Sequence, residues 1–185
     1  MTREETLIFI RQAVKNTNSI KHMLATEAIM RALAKRFNED EVTWALAGLV
    51  HDIDMEFADY KENPEKHGIE GARMLAEKGF VPEIIEAVKA HNPATGKTRE
   101  TLMEKTIFCT DPLTGLIVAA TLVLPSKKIG DLTSSSVLKR FRENSFARGV
   151  NREVISACAE IGLTLEEFIE IGLKAMQEIA GDLGL

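Results

Sequence analysis

The sequence is poor in aromatic residues and in cysteine, and each shortage excludes something. Aromatic residues make up 5% of the 185 residues, so the core must be built from aliphatic residues and methionine. The two cysteines, Cys109 and Cys158, form no C-x-x-C pair and offer no disulfide framework, which fits a reducing compartment. A glycine-rich phosphate loop is also missing, so an NTPase of the P-loop kind is not supported.

Long apolar runs and export signals are missing too. The longest apolar run, residues 116–124, is too short for a bilayer, which needs about 20 residues. The opening segment "MTREETLIFIRQ" mixes acids with bases and has no cleavage-site pattern. We therefore expect a cytoplasmic protein that has no membrane partner.

The charge is ordinary overall but uneven along the chain. The net charge of −5 argues against binding to long nucleic acids. Residues 127–152 hold seven bases against two acids, a local net charge of +5, which suits either a small phosphorylated ligand or a solvated helix face. Because guanidinium groups match phosphate oxygens, Arg148, in a non-periodic turn before Gly149, is the first candidate for a phosphate contact, followed by Arg142 and Lys128. Surface solvation is the competing interpretation for all three.

Helical spacing of apolar residues dominates the sequence, and no convincing period-2 strand occurs. The pattern predicts one all-α domain, a helical bundle over residues 1–185. Ser19 is expected to cap the second helix, Asn38 and Glu41 to form a capping box for the third, and Thr164 to cap the last. A boundary or kink is expected at Asp111-Pro112, and the segment "IDMEFADYKENPEK" is the longest predicted loop. Helices are predicted at about residues 3–15, 20–37, 42–52, 64–78, 82–90, 100–124, 135–142, 151–160 and 165–180.

All four histidines of the chain fall on apolar helix faces. In the segment "AGLVHDIDME", His51 and Asp52 stand at the end of an apolar run, where burying an unpaired charge costs free energy. The small residues Ala47 and Gly48 on the same stripe would let a partner helix come close. Each polar residue has a simpler explanation when it is taken alone: a single histidine can be a satisfied core residue, and Asp111 before Pro112 can be an N-cap.

Together, six inward-facing side chains favour a metal centre. Imidazole and carboxylate are the ligands of Zn, Mn, Fe or Ni, and the lack of cysteine ligands argues against a structural zinc finger. Six candidates exceed the needs of one tetrahedral ion and suit two ions that share a carboxylate. Bound dications would also make the buried carboxylates tolerable. The six candidates are His22, His51, Asp52, His67, His91 and Asp111.

In this order the six residues resemble the HD-domain superfamily of metal-dependent phosphohydrolases. The segment "HGIEGARML" looks like the H-G-x-x-G-A segment of its two-metal, HDIG-like members. The resemblance covers residues 20–125 approximately, with the helices of about 126–185 completing the domain. It implies a first site formed by His22, His51, Asp52 and Asp111, with His67 and His91 as the extra ligands of two-metal members and Asp52 bridging. The implied cofactors are two divalent transition-metal ions (Fe, Mn, Ni or Zn, with Mg as an alternative).

The implied activity is hydrolysis of a small phosphate mono- or diester, with a nucleotide as the expected substrate and partner. Two metal ions can generate a bridging hydroxide and neutralise charge on the attacked phosphate. Asp52 is then catalytic as the bridge, and Asp54 either orients the attacking water, accepts its proton, or is an acid outside the first ring of ligands. The alternatives are a dinucleoside polyphosphate hydrolase, a non-catalytic nucleotide-binding signalling module and a purely structural bundle. The complete ligand set counts against a silent module.

Overall fold

The apolar stripes of the sequence fold into helices close to the predicted ones. The computed structural model describes residues 1–57, 59 and 62–185, and within these residues no strand occurs. The all-α prediction is confirmed. The α-helices are α1 (Arg3–Ala13), α2 (Thr17–Phe37), α3 (Glu41–Val50), α4 (Ile69–Glu77), α5 (Pro82–His91), α6 (Leu102–Leu122), α7 (Ser134–Arg142), α8 (Arg152–Ser156), α9 (Leu165–Glu178) and α10 (Ala180–Leu183). Short 3-10 helices lie at Pro64–Lys66, Pro93–Thr95, Ile129–Asp131 and Ala157–Ile161.

Helix α2 lies at the centre of the packing. It contacts α3 along its length and also packs against α6 and α9, while α5 lies between α4 and α6. The buried side chains form one cluster that extends from Ile10 to Leu183 and consists mainly of aliphatic residues and methionine, as the low aromatic content requires. Among the helices in the described part of the chain, none is both long and apolar enough to cross a membrane.

Two of the three predicted helix caps are wrong. Helix α2 begins two residues before Ser19, because the side chain of Asn16 accepts hydrogen bonds from the backbone N–H groups of Asn18 and Ser19. Asn38 does not cap α3; it ends α2 in the left-handed conformation, with φ 59°. The cap of α3 is Asp40, whose carboxylate accepts from the N–H of Thr43.

The capping box of Thr164 and Glu167 at the start of α9 is confirmed. In the polar stretches before α2 and α3, by contrast, several side chains are suitable caps, and the sequence alone does not rank them.

Two predicted boundaries also differ. The segment from Pro64 to Lys78 is not one helix, because Gly68 has φ +89° and turns the chain between the 3-10 helix and α4. Helix α6 continues through Pro112, which stands inside it although proline has no N–H for the carbonyl of Phe108. The predicted loop "IDMEFADYKENPEK" lies partly outside the described residues.

Gly48 brings α3 against α2, as the small residues of this stripe predicted. A Cβ at Gly48 would lie 2.8 Å from the carbonyl oxygen of Thr26 and 2.9 Å from the nitrogen of Glu27, both backbone atoms of α2. The two backbones are therefore in contact at this point. This contact sets His51, just after α3, close to His22 on α2.

We expect Gly48→Ala to lower the free energy of unfolding by about 2 kcal/mol, because the added methyl group overlaps a backbone that must shift. Gly115→Ala is the matched control within a helix. A Cβ at Gly115 meets only Val150, at 3.7 Å, so the better helix propensity of alanine should raise stability by up to about 1 kcal/mol. Denaturant unfolding of the two variants checks this, and equal effects would contradict the proposed backbone contact.

Candidate metal centre

The four histidines converge through one type of atom, Nε2. The Nε2 atoms of His22 and His51 are 3.0 Å apart, and those of His67 and His91 are also 3.0 Å apart. The four imidazoles come from α2, from the residue after α3, from the turn before α4 and from the end of α5. Segments far apart in the sequence therefore present the same ring nitrogen to one place.

Asp52 lies between the two histidine pairs. Its Oδ1 is 3.5 Å from Nε2 of His51, 3.2 Å from Nε2 of His67 and 3.5 Å from Nε2 of His91. Its Oδ2 is 3.4 Å from Nε2 of His22. The carboxylate is thus within reach of both pairs, which is the position that a bridging ligand needs.

Asp111 completes the first pair from α6. Its Oδ1 is 3.0 Å from Nε2 of His22 and 3.9 Å from Nε2 of His51. Because α6 continues through Pro112, Asp111 stands inside a helix, and the simpler explanation of an N-cap does not apply. The structure therefore brings together all six side chains that the sequence singled out, although their role as ligands stays a prediction.

Each imidazole is oriented by a hydrogen bond from its other nitrogen, Nδ1. His51 donates to the carbonyl oxygen of Gly48 at 2.8 Å, and His91 donates to that of Val88 at 2.5 Å. His22 donates to the hydroxyl of Thr114 at 2.8 Å, and this hydroxyl donates in turn to the carbonyl of Asp111. With Nδ1 holding the proton, Nε2 is left with its lone pair, which is the form in which histidine binds metals.

The donor set fits divalent ions. The triads His22, His51, Asp52 and Asp52, His67, His91 each place three donor atoms within 4.8 Å of one another. Donor atoms at about 2.1 Å from an ion and at right angles are about 3 Å apart, close to the separations observed here. The cluster is therefore compatible with divalent metal binding, through nitrogen and oxygen donors alone.

Without a metal, carboxylates and imidazoles of the cluster shift one another's pKa values. Burial alone would lower the pKa of His22, but its hydrogen bond with Asp111 and the charge of Asp52 raise the pKa to about 9. Burial would likewise lower the pKa of His67, and its hydrogen bonds with Asp52 and Asp54 raise it to about 10. Burial would raise the pKa of Asp52 and Asp111, but the neighbouring imidazoles hold both below the usual range. The site prefers carboxylates that are ionised and compensated by nearby positive charge.

Asp54 holds His67 in position. It is fully buried; its Oδ1 accepts from Nδ1 of His67, and its Oδ2 accepts from the N–H groups of Gly68 and Gly71, all at 2.8 Å. These bonds lower the pKa of Asp54 although burial would raise it. Both oxygens accept hydrogen bonds from the protein, which fits an acid outside the ligands that holds His67 in position; a catalytic role of Asp54 stays a prediction. The H-G-x-x-G pattern places two backbone donors on this carboxylate.

Sequence reasoning missed Asn92, which ties the second histidine pair together. Its Nδ2 donates to the carbonyl oxygens of Pro64 at 2.7 Å and His67 at 2.8 Å, and it directly follows His91. The segment that carries His67 is thereby fixed to the end of the helix that carries His91. The sequence signal was weak, because an asparagine before a proline usually indicates a turn.

Three spaces adjoin the cluster, and all three share His22. A shallow cleft lies over it, lined by Asn18, Ser19, Met55 and cluster residues. On one side lies a cavity of about 390 Å³, here called the Phe108 cavity, lined by Pro93, Phe108, Gly149, Val150 and Val154. A second cavity, of about 460 Å³ and here called the Leu122 cavity, is lined by Lys21, Ala25, Val118, Leu122 and Leu183.

The predicted phosphate-binding bases line none of these three spaces. Arg142 lies 3.6 Å from the carboxylate of Glu166 and borders another groove, and Lys128 is exposed in the loop before a 3-10 helix. Arg148 is exposed in a turn; only the next residue, Gly149, lines the Phe108 cavity. The local charge of +5 therefore does not collect at the cluster. A phosphate contact by Arg148, Arg142 or Lys128 stays a prediction.

Comparison with known proteins points to one family. A family model described as HD domain matches residues 19–113, just over half of the chain, and this range contains all six residues of the cluster. No curated protein and no solved structure matches the chain.

We expect Asp54→Asn to weaken metal binding about 10- to 100-fold, as loss of a hydrogen bond behind a ligand typically does. An amide has only one acceptor oxygen, so an N–H group then faces either Nδ1 of His67 or the N–H groups of Gly68 and Gly71, and the ring is held less firmly. Calorimetric metal titration measures the affinity, and nitrogen NMR of the histidine rings reports the tautomer of His67. Asp40→Asn, which keeps a capping oxygen at the far end of α3, is the control. Unchanged affinity and tautomer in Asp54→Asn would contradict the positioning role.

Metal binding should release protons at pH 7.5. His22 and His67 are protonated there in the metal-free chain, since their pKa values are about 9 and about 10, and a ligand must be neutral. Affinity should therefore rise as the pH is raised towards those values. Calorimetry in two buffers of different ionisation enthalpy should give a release of about two protons per chain, reduced by about one in His67→Ala. A binding heat that does not depend on the buffer would contradict this expectation.

Proposed function

The chain belongs to the HD domain family, and from this premise we propose that it is a phosphohydrolase that depends on two divalent metal ions. Members of this family are generally metal-dependent hydrolases. The proposed reaction is hydrolysis of a small phosphate mono- or diester, with a nucleotide as the expected substrate. The observation that supports it is the convergence of four Nε2 atoms on the buried carboxylate of Asp52.

The ligands divide naturally between two ions. His22, His51 and Asp111 would hold the first, His67 and His91 the second, and Asp52 would bridge both. When bound, such ions lower the pKa of water and neutralise charge on the attacked phosphate. Neither task needs a serine or cysteine nucleophile, and the two cysteines are buried, Cys109 with a raised pKa.

The cluster opens to solvent on one side. The side chains of Asp111 and His22 are 35% and 26% exposed, whereas His51 and His91 are almost fully covered. A phosphate would therefore approach through the cleft, on the side of His22 and Asp111. The covered histidines form the back of the site, and their carbonyl partners keep them from rotating.

Two alternatives have less support. A non-catalytic nucleotide-binding module has no need for six converging donors whose orientations are fixed. A dinucleoside polyphosphate carries several negative charges, and the only lysine or arginine among the described residues that line the cleft and the two cavities is Lys21. A metal-dependent hydrolase of an ester that contains a single phosphate fits both observations better.

The proposal predicts metal-dependent turnover that is lost without Asp52. Purified protein should hydrolyse 4-nitrophenyl phosphate or bis(4-nitrophenyl) phosphate with Mn²⁺, and should lose this turnover in chelator. Asp52→Ala should lower kcat/KM by about a thousandfold or more, equivalent to about 4 kcal/mol of transition-state stabilisation.

Glu39→Ala, which removes an exposed acid in the turn between α2 and α3, should leave both turnover and metal content unchanged. Turnover that survives chelation, or a wild-type rate in Asp52→Ala, would refute the proposed function.

A further inference from the structure

The two cavities beside the cluster have a common border. His22 and Gly115 line both, and His22 together with Asp111 also lines the cleft over the cluster. The exposed side of the candidate metal centre therefore adjoins both cavities as well as the cleft. A molecule whose phosphate lies at the cluster can extend into either cavity.

Gly115 keeps the border between the two cavities open. It is an exposed glycine inside α6, where glycine costs about 1 kcal/mol relative to alanine. A Cβ there would meet only Val150, so packing against the rest of the protein does not require glycine. A larger side chain would instead stand between the two cavities.

Both cavities have the size and lining of sites for organic groups. Their volumes of about 390 and 460 Å³ are above the lower limit of about 300 Å³ that is typical of ligand pockets. The Phe108 cavity contains an aromatic ring, which carries the guanidinium of Arg99 at 3.8 Å from its centroid. The Leu122 cavity is aliphatic, with Val118 and Leu122 in its wall.

The charge of the lining favours a phosphate of low charge. Lys21 is the one lysine among the described residues that line the three spaces, and none of those residues is an arginine. A polyphosphate chain carries further negative charges beyond the phosphate that the two ions would neutralise, and these charges are usually bound by several such donors. A phosphodiester carries one negative charge.

Resting on the proposed function, we propose that the substrate is a phosphodiester with an organic group on each side of a single phosphate. One group occupies the Phe108 cavity and the other occupies the Leu122 cavity. In the reaction the oxygen of water bonds to phosphorus and the P–O bond to one organic group breaks. The departing oxygen receives a proton that originates from the water, which leaves an alcohol and a phosphate monoester.

The test narrows each cavity separately and compares two esters that both release 4-nitrophenol as the detected product. Bis(4-nitrophenyl) phosphate has two organic groups, and 4-nitrophenyl phosphate has one. Leu122→Trp narrows the Leu122 cavity from a half-exposed position. Val154→Trp narrows the Phe108 cavity; if that variant does not fold, Gly149→Phe replaces it, from a position where a Cβ meets nothing within 4 Å. Val123→Trp, at the neighbouring exposed position, is the control.

With Mn²⁺-loaded protein, kcat/KM for the diester should fall about tenfold or more in both cavity variants. The monoester needs one cavity only, so it should lose that much in at most one of them. The control should stay within about twofold of the wild type for both esters, and metal content should be equal in all variants. A diester affected in one cavity variant or in none would overturn the inference, and so would faster turnover of a dinucleoside tetraphosphate.

An incorrect proposed function and an incorrect cavity assignment give different results. If the Mn²⁺-loaded wild type hydrolyses neither ester, calorimetric binding of bis(4-nitrophenyl) phosphate decides the inference by itself. The dissociation constant should then rise about tenfold in both cavity variants and stay unchanged in the control. A constant that changes in only one cavity variant, or in neither, would overturn the two-cavity assignment.

Discussion

The carboxylate of Asp52 sets the conditions for the rest of the site. It is almost fully buried, and an ionised carboxylate in such a place is costly unless positive charge lies next to it. Four imidazole nitrogens surround it, and without a metal, protons on the histidines compensate part of the charge. Divalent ions would compensate it more fully, because each carries two charges and binds the lone pairs of several nitrogens at once.

The fold supplies the rigidity that this arrangement needs. The contact of α3 with α2 at Gly48 sets the first histidine pair, and the bonds of Asn92 set the second. Asp54 uses both oxygens to hold His67 and the turn before α4. Each imidazole is also held through Nδ1, so hydrogen bonds within the protein orient the Nε2 atoms.

Helical spacing was enough to predict the all-α fold, because one apolar stripe fixes which side of a helix is buried. It does not account for His67, which lies in the turn before α4 and not on a helix face. It could not identify Asp54 as a positioning residue, since a carboxylate after a helix can face water or a backbone turn. It also could not place the basic residues of 127–152. Arg152, for example, donates to the main-chain carbonyls of Phe141, Glu143 and Phe146, which only the folded chain brings together.

Metal stoichiometry tests the central claim, that six side chains hold two ions which share Asp52. Elemental analysis of protein never exposed to chelator should give two divalent ions per chain for the wild type and one for His67→Ala. Removal of His67 takes away a ligand of the second ion, and the ligands His22, His51, Asp52 and Asp111 of the first remain. One ion or none in the wild type, or the loss of both ions or of neither in His67→Ala, would contradict the claim.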